Sequence, residues 1–258
     1  YLTDILVVGR LGALAFGAVG LAGAVMWELT YAGFSLLMIV GVVVAHGFGA
    51  GAKKEIASGA RTGLLTALVI SGPWILMGWF LTDIMALTDQ GPEVMAVGQD
   101  YLRAMVWHLP ASFMFMALRQ LVTGLSRPII ITFIMIAAVP TNLVLNIVLV
   151  FGWAGSPELG VVGAGIATTV VAWAKLAVLV VYLARHSELS EFPPFRNLHR
   201  IDFAMWRQIW RLGLPVMAVR LVEGSMFQAT FLLMGAFGAT ALDAHNVMVG
   251  ALTLSVTL

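Results

Sequence analysis

A lone carboxylate, Asp4, lies in the apolar stretch YLTDILVVG at residues 1–9, ahead of the turn signal at Gly9. An ionised side chain is costly inside a membrane-spanning segment, and such residues usually mark an ion or substrate pathway. A cavity of low dielectric constant disfavours the ionised carboxylate and brings its proton affinity towards physiological pH. We therefore expect Asp4 to accept a proton or a cation. The alternative is a helix-end residue that reaches water.

Two amide side chains lie further along, in PTNLVLN at 140–146. Asn142 and Asn146 are four residues apart, which places them on one face of a helix. Pro140 lacks an N–H group and so frees a backbone carbonyl one turn earlier. Amide and carbonyl oxygens could coordinate a hard cation such as Na⁺. Hydrogen bonding between helices is the equally open alternative.

Small residues fill the stretch GVVGAGIATT that starts at Gly160. Glycine and alanine allow a neighbouring membrane helix to approach closely, so we expect the glycines to serve packing. Thr168, at the end of this stretch, can offer a hydroxyl group to a site.

Charges also occur in the apolar run VMAVRLVEGSMFQATFLLMG at 216–235. Arg220 and Glu223 are three residues apart and can pair with each other. The other interpretation is that Glu223 faces a cavity and Arg220 neutralises it or filters substrates. Glu28, in MWELTY, is a further acid within an apolar segment.

The composition determines the class of protein that holds these residues. Of the 258 residues, 60% are hydrophobic and 10% are charged, against about 25% charged in a soluble domain. We therefore predict an integral membrane protein with several spans. The net charge of +1 does not suggest nucleic acid as a partner, and the absence of cysteine excludes sulfur ligands for a metal.

Apolar windows predict six complete spans and two partial ones, a polytopic all-α helical bundle. The chain opens inside an apolar run, so we expect a fragment that lacks the front of its first helix. The predicted spans are 1–9 (truncated), 16–45, 62–82, 101–123, 129–151, 160–184, 213–237 and 244–258 (partial).

The basic residues separate onto alternate loops, which sets the orientation because cytoplasmic loops are enriched in Lys and Arg. The outer set holds Arg10 and Arg103, and the longest loop, 185–211, is cytoplasmic. We favour a solvated connector for this loop over a lipid-binding patch. The cytoplasmic set holds ten of the fourteen basic residues: Lys53, Lys54, Arg61, Arg119, Arg127, Arg185, Arg196, Arg200, Arg207 and Arg211.

A weak internal repeat relates the two ends of the chain. GRLGALAFGA from Gly9 aligns with GAFGATALDA from Gly235, although chance agreement among small residues is an open alternative. A genuine repeat means a second bundle that begins near residue 200, as in transporters that duplicate a bundle and bind substrate between the halves.

Seven stretches in order resemble landmarks of the multidrug and toxic compound extrusion (MATE) transporters: LTDILVVGRLGALAFGAVGL, VAHGFGAGAKKE, ALRQLVTGLSRP, PTNLVLNIVLVFG, PELGVVGAGIATTVVAW, RLGLPVMAVRLVEGSMF and GATALDAHNVMV. The resemblance covers nearly the whole chain. It implies twelve helices in two six-helix lobes around a central cavity. On that basis we expect the amino-terminal lobe over 1–190, an inter-lobe connector over 191–211 and the start of the second lobe over 212–258.

The resemblance also implies residue roles. Asp4, Asn142, Asn146 and Thr168 match the family's amino-lobe cation site, and Glu223 matches the acid of its seventh helix. Three positions depart from the family pattern: Arg220 one turn before that acid, Glu28 in place of an uncharged residue, and Asn246 where the family often has Gln.

The function that the resemblance implies is export of cationic or amphiphilic organic compounds by antiport with H⁺ or Na⁺. We expect no cofactor beyond the coupling ion, a small organic substrate and membrane lipid as partners, and a monomer. One alternative is a flippase for lipid-linked precursors, which requires a strongly cationic cavity. The other, a membrane enzyme acting on lipid, lacks support because no His-Glu-x-x-His or Gly-x-Ser-x-Gly motif occurs.

Overall fold

The computed structural model describes residues 2–81, 83, 91–186 and 202–236, which are helical apart from short connections. The predicted all-α fold is confirmed. Within the described residues the helices are α1 (Leu2–Val8), α2 (Ala13–Gly49), α3 (Lys53–Trp79), α4 (Pro92–Met105), α5 (His108–Gly124), α6 (Ile129–Phe151), α7 (Gly160–Arg185) and α8 (Phe203–Ala236).

Four of these helices, α2, α3, α6 and α7, are long and apolar enough to cross a membrane. They contain most or all of the predicted spans 16–45, 62–82, 129–151 and 160–184. A helix rises about 1.5 Å per residue, so even 23-residue α6 exceeds the hydrocarbon thickness of about 30 Å.

The predicted span 101–123 differs from the structure, because two helices cover it. Helix α4 ends at Met105 and α5 begins at His108, with a turn at Val106 and Trp107 between them. Pro110 lacks the N–H group that would bond to the Val106 carbonyl. That carbonyl instead accepts the N–H of Leu109 at 3.2 Å, a tighter turn than an α-helix allows.

Helix α8 begins ten residues before the predicted span 213–237, inside the predicted connector. Asp202 starts it as an N-cap: its Oδ1 accepts the Met205 N–H at 3.1 Å. Its Oδ2 accepts the Ser58 hydroxyl of α3 at 2.7 Å. The Ser58 hydrogen bond and the helix N–H groups hold the pKa of Asp202 below its usual value. The sequence does contain a signal for this early start, because an aspartate directly before the stretch FAMWRQIW is a typical helix N-cap.

The core is a bundle in which α2 packs on α3, α4 and α5, and α7 packs on α4, α5 and α6. Its largest fully buried side chains come from α2 to α5: Met26, Leu36, Leu37, Ile56, Ile70, Tyr101, Leu102, Met105, Leu109, Phe113, Leu118 and Leu121. Interlocking of these side chains fixes the helices that carry the polar residues described below.

Helix α6 has one exposed apolar face, as a lipid-facing helix does. Phe133, Ile136 and Val139 are exposed, whereas Asn142 and Asn146 are buried. The polar face of the helix therefore points into the protein.

The chain divides into two compact units, with the boundary between Met217 and Ala218. The first contains α1 to α7 and the beginning of α8. Of the second, the structure describes the helical residues 218–236.

Candidate functional site

The site is built around Asp4 on α1. This helix packs against α2, α6 and α7, and Asp4 is fully buried, with 0% of its surface exposed. A buried carboxylate needs hydrogen-bond partners, because burial removes the water that would otherwise solvate its charge. Those partners come from α4, α6 and α7.

Helix α6 supplies two amides from one face. Asn142 is 8% exposed and Asn146 is 0% exposed, and their spacing of four residues points both at α1 and α7. The sequence predicted this shared face.

Glycines on α7 allow its backbone to pack closely against α6 and α4. A Cβ added to Gly163 would lie 2.6 Å from the Leu149 carbonyl oxygen of α6, and one added to Gly165 would lie 2.8 Å from the Tyr101 oxygen of α4. No side chain fits at either position. The predicted packing role of these glycines is confirmed, and it places Thr168 beside Asp4.

Three hydrogen-bond donors from different helices converge on the Asp4 carboxylate. Its Oδ1 accepts the Asn146 side-chain amide at 2.9 Å. Its Oδ2 accepts the Thr168 hydroxyl at 2.7 Å and the Tyr101 hydroxyl at 3.0 Å. We call Asp4, Tyr101, Asn142, Asn146 and Thr168 the Asp4 cluster.

Asn142 supports the cluster through its contact with Thr168. Its amide N–H donates to the Thr168 hydroxyl oxygen at 3.4 Å, while its Oδ1 accepts the Thr3 hydroxyl. A chain of donors thus runs from Asn142 through Thr168 to Asp4, and hydrogen bonds in such a chain polarise one another.

One buried acceptor of the cluster has no hydrogen-bond partner among the described residues, the Oδ1 of Asn146. The orientation of this amide follows from its contacts. The Nδ2 atom faces three oxygens, Asp4 Oδ1 and the Oδ1 and backbone oxygen of Asn142, at 2.9, 3.2 and 2.9 Å. The nitrogen must therefore lie on that side, and the oxygen on the other.

This arrangement suits reversible binding of a proton or a small cation. The three donors to Asp4 are neutral, so they replace solvating water around the carboxylate without cancelling its charge. The carboxylate, the amide oxygens of Asn142 and Asn146 and the Thr168 hydroxyl are all hard oxygen ligands.

Sequence reasoning missed Tyr101. It lies on α4 and is fully buried, and a buried phenol usually finds a partner for its hydroxyl. A tyrosine in the predicted apolar span 101–123 could therefore have indicated a hydrogen-bond donor to a buried site.

The remaining predicted positions lie on other helices. Glu28 is half-buried on α2, next to Trp27, whose ring centroid lies 5.7 Å from that of His108. Arg220 and Glu223 form an ion pair on α8, with Nη1 and Oε2 3.7 Å apart. The interpretation that these two residues pair is confirmed. Asn246 and the predicted partial span 244–258 lie outside the described residues.

The family model MatE matches residues 1–148 of this chain. A probable multidrug resistance protein NorM of Bradyrhizobium diazoefficiens is 36% identical over 245 residues, which is 95% of this chain and 53% of that protein. The multidrug resistance protein NorM of Vibrio cholerae is 32% identical over 247 residues, with 95% and 53% covered. The chain thus spans about half the length of the curated relatives it matches.

Solved structures show the same fold. A eukaryotic MATE transporter superposes with a TM-score of 0.82 at 21% identity, over 91% of this chain and 51% of that one. A multidrug resistance MATE transporter in an outward-facing conformation gives 0.81 at 20% identity, over 99% and 55%.

Proposed function

Because the chain belongs to the MatE family, we propose that it forms part of an efflux transporter that exports cationic or amphiphilic organic compounds in exchange for H⁺ or Na⁺. The chain is a multi-pass integral membrane protein, and we propose the bacterial inner membrane as its location. Family membership excludes the membrane-enzyme alternative.

The observation that carries the proposal is the convergence on Asp4. Three helices that are distant in sequence, α4, α6 and α7, each send a donor to one buried carboxylate on α1. Burial of a charge is costly, and a purely structural role would be served as well by apolar packing. A carboxylate held in this way is suited to binding and releasing a cation.

In the proposed mechanism the coupling ion and the substrate compete. The ion binds at Asp4, Asn142, Asn146 and Thr168, and the substrate binds in the cavity of the lobe. Loading of one releases the other. The ion drives a change of conformation only if it binds one conformation more tightly than the other.

Either ion changes the contacts that hold α1 in place. A proton on the Asp4 Oδ2 competes with the hydroxyls of Tyr101 and Thr168, which both donate to that oxygen. A sodium ion instead draws together the oxygens of Asp4, Asn142 and Thr168, and it displaces the Asn146 Nδ2, which lies on the same side. In both cases the hydrogen bonds that tie Asp4 to α4 and α7 respond to the ion, which links occupancy to conformation.

We assign residues 1–190 to the amino-terminal lobe, 191–211 to the connector and 212–258 to the start of the second lobe. The end of this connector is the first part of α8, which begins at Phe203. Glu223 is the proposed acid of the second lobe, with Arg220 as its partner. Glu28 is proposed to contact substrate. The transporter is proposed to act as a monomer in the lipid bilayer.

The test uses a full-length protein that carries this sequence, reconstituted into vesicles with a fluorescent cationic dye. A proton gradient and a sodium gradient are imposed separately on the wild type and on Asp4→Asn. The amide keeps the size of the carboxylate but removes its charge. We expect one gradient to drive dye movement in the wild type and neither to drive it in the variant.

Asp100→Asn is the matched control, because Asp100 is an exposed acid on α4 and should leave transport unchanged. Full gradient dependence in Asp4→Asn contradicts the role of Asp4. If neither gradient moves the dye in the wild type, the substrate class is wrong, and the flippase alternative is then tested with a fluorescent lipid-linked precursor.

A further inference from the structure

A shallow basic cavity, open to the surface, lies on the first turns of α8, away from the Asp4 cluster, and all of its lining residues are exposed. It has a volume of about 560 Å³ and is lined by Ala204, Arg207, Gln208, Arg211 and Leu212. An open surface of this kind can hold the headgroup of a lipid whose chains remain in the bilayer.

The position of this cavity follows from the helical repeat. Ile209 and Gly213 are buried, and a Cβ on Gly213 would lie 2.9 Å from the Leu36 carbonyl oxygen of α2. At 100° per residue, Arg207 and Arg211 fall on the opposite face of α8, where both are exposed. The cavity therefore faces away from the bundle.

Two tryptophans lie between the buried face and the basic one. Trp206 and Trp210 are half-buried, with ring centroids 6.0 Å apart. Tryptophan is enriched where a membrane meets water, because its ring is apolar and its N–H group is polar. The pair places aromatic rings beside the basic face of α8, although the Nε1 of Trp210 is itself buried and has no hydrogen-bond partner among the described residues.

The charge of the cavity matches the leaflet that it faces. The distribution of Lys and Arg predicts that residues 185–211 lie on the cytoplasmic side, where anionic lipids give the membrane a negative surface. Arginines four residues apart project side by side, with about 5–6 Å between their Cβ atoms. Two adjacent guanidinium groups provide several N–H donors for the oxygens of one phosphate.

Among the described residues, the acid at the start of α8 is Asp202, and it is already engaged. The Asp202 carboxylate accepts Ser58 through one oxygen and the Met205 N–H through the other, and Arg61 acts on it electrostatically. These contacts join the start of α8 to α3 and leave Arg207 and Arg211 available to an anion.

We propose that this cavity binds the phosphate headgroup of an anionic phospholipid of the cytoplasmic leaflet, with Arg207 and Arg211 as the phosphate ligands and Gln208 as a further donor. The bound lipid fixes the start of α8 at the membrane surface. The proposal is independent of the coupling ion and of the exported substrate.

The test compares two lipids on a full-length protein that carries this sequence. The purified protein in detergent is titrated with short-chain phosphatidylglycerol or with phosphatidylcholine of the same chains, and bound lipid is counted by native mass spectrometry. We expect the wild type to prefer phosphatidylglycerol. The variant Arg207→Gln/Arg211→Gln should lose about fivefold of this preference per arginine, equivalent to about 1 kcal/mol for each basic residue at an anionic surface.

Two further variants separate site binding from net charge and from misfolding. Arg119→Gln/Arg185→Gln removes two exposed basic residues from elsewhere in the predicted cytoplasmic set and should keep the preference. Arg207→Lys/Arg211→Lys retains the charge and should keep most of it. An equal loss in both glutamine variants overturns the proposal. Displacement of the lipid by millimolar inorganic phosphate identifies a site for soluble anions and also overturns it.

Discussion

The hydroxyl of Thr168 donates a hydrogen bond of 2.7 Å to the Oδ2 of Asp4, although 164 residues separate the two along the chain. The contact joins α7 to α1 at the point where α6 also contributes Asn146. In the proposed mechanism, Thr168 therefore transmits the binding of a proton or cation at Asp4 to α7.

Replacing Thr168 with valine keeps the shape of the side chain and removes its hydroxyl. A hydrogen bond to a charged group contributes about 1.5–3 kcal/mol, so the dependence of transport on the coupling ion should shift by roughly tenfold or more. Vesicle efflux at graded ion concentrations measures the shift. Thr168→Ser should restore the wild-type dependence.

The control for this change is the next residue. Thr169 donates to the Ala104 backbone oxygen at 2.9 Å, so Thr169→Val also loses a contact between α7 and α4. We expect the ion dependence of Thr169→Val to stay at the wild-type value. If the two valine variants behave alike, helix packing and not Asp4 accounts for the effect.

Tyr101→Phe tests the donor that the sequence did not reveal. The change removes only the hydroxyl that lies 3.0 Å from the Asp4 Oδ2, so the packing of the ring is preserved. The ionised carboxylate loses a donor, and the ion dependence should again shift by about tenfold. Tyr182→Phe, whose ring packs on His186 at the far end of α7, is the control. An unchanged ion dependence in Tyr101→Phe would show that this hydroxyl has no part in coupling.

Gly165→Ala should separate α7 from α4. The added Cβ would lie 2.8 Å from both the Ala104 Cβ and the Tyr101 carbonyl oxygen, and a backbone atom cannot move aside as a flexible side chain does. Overpacking of this kind costs about 1–3 kcal/mol. Thermal unfolding of the purified full-length protein should show a lower midpoint. Gly72→Ala on α3, where a Cβ meets no atom within 4 Å, should match or exceed the wild type.

Asp202→Ala should loosen the start of α8. An N-cap contributes about 1 kcal/mol, so hydrogen exchange of the first amides of α8 should accelerate roughly fivefold at pH 7. The pKa of Asp202 is lowered in the folded protein. Its stabilising contribution is therefore full above the unfolded pKa of about 3.9 and is lost as the pH falls through the folded value. The difference between wild type and variant should shrink below pH 4, and a difference that does not depend on pH would contradict the assignment.

Much of the fold could be predicted from the sequence because a membrane imposes a simple rule. Long apolar runs must form helices, and this rule located α2, α3, α6 and α7. The break between α4 and α5 was not predicted, because Pro110 acts on a carbonyl within a run that remains apolar throughout. The early start of α8 was missed because its first turns are amphipathic rather than apolar.

The site was predictable to the extent that its residues break the apolar pattern. Asp4, Asn142, Asn146 and Thr168 are conspicuous as polar residues in apolar helices. Tyr101 is less conspicuous, because its ring fits the apolar pattern even though its hydroxyl donates a hydrogen bond to Asp4. Polar residues meet in this site because helices that are far apart in the sequence pack together. The apolar pattern of a single sequence does not show which helices become neighbours.

The most direct test of the coupling role of Asp4 is ion release on substrate binding. A cationic substrate is added to the purified full-length protein in weak buffer, and the released H⁺ or Na⁺ is measured with ion-selective electrodes. We predict release of one coupling ion per substrate bound by the wild type, and none by Asp4→Asn. Equal release by both proteins, or substrate binding to the wild type without any release, would contradict it.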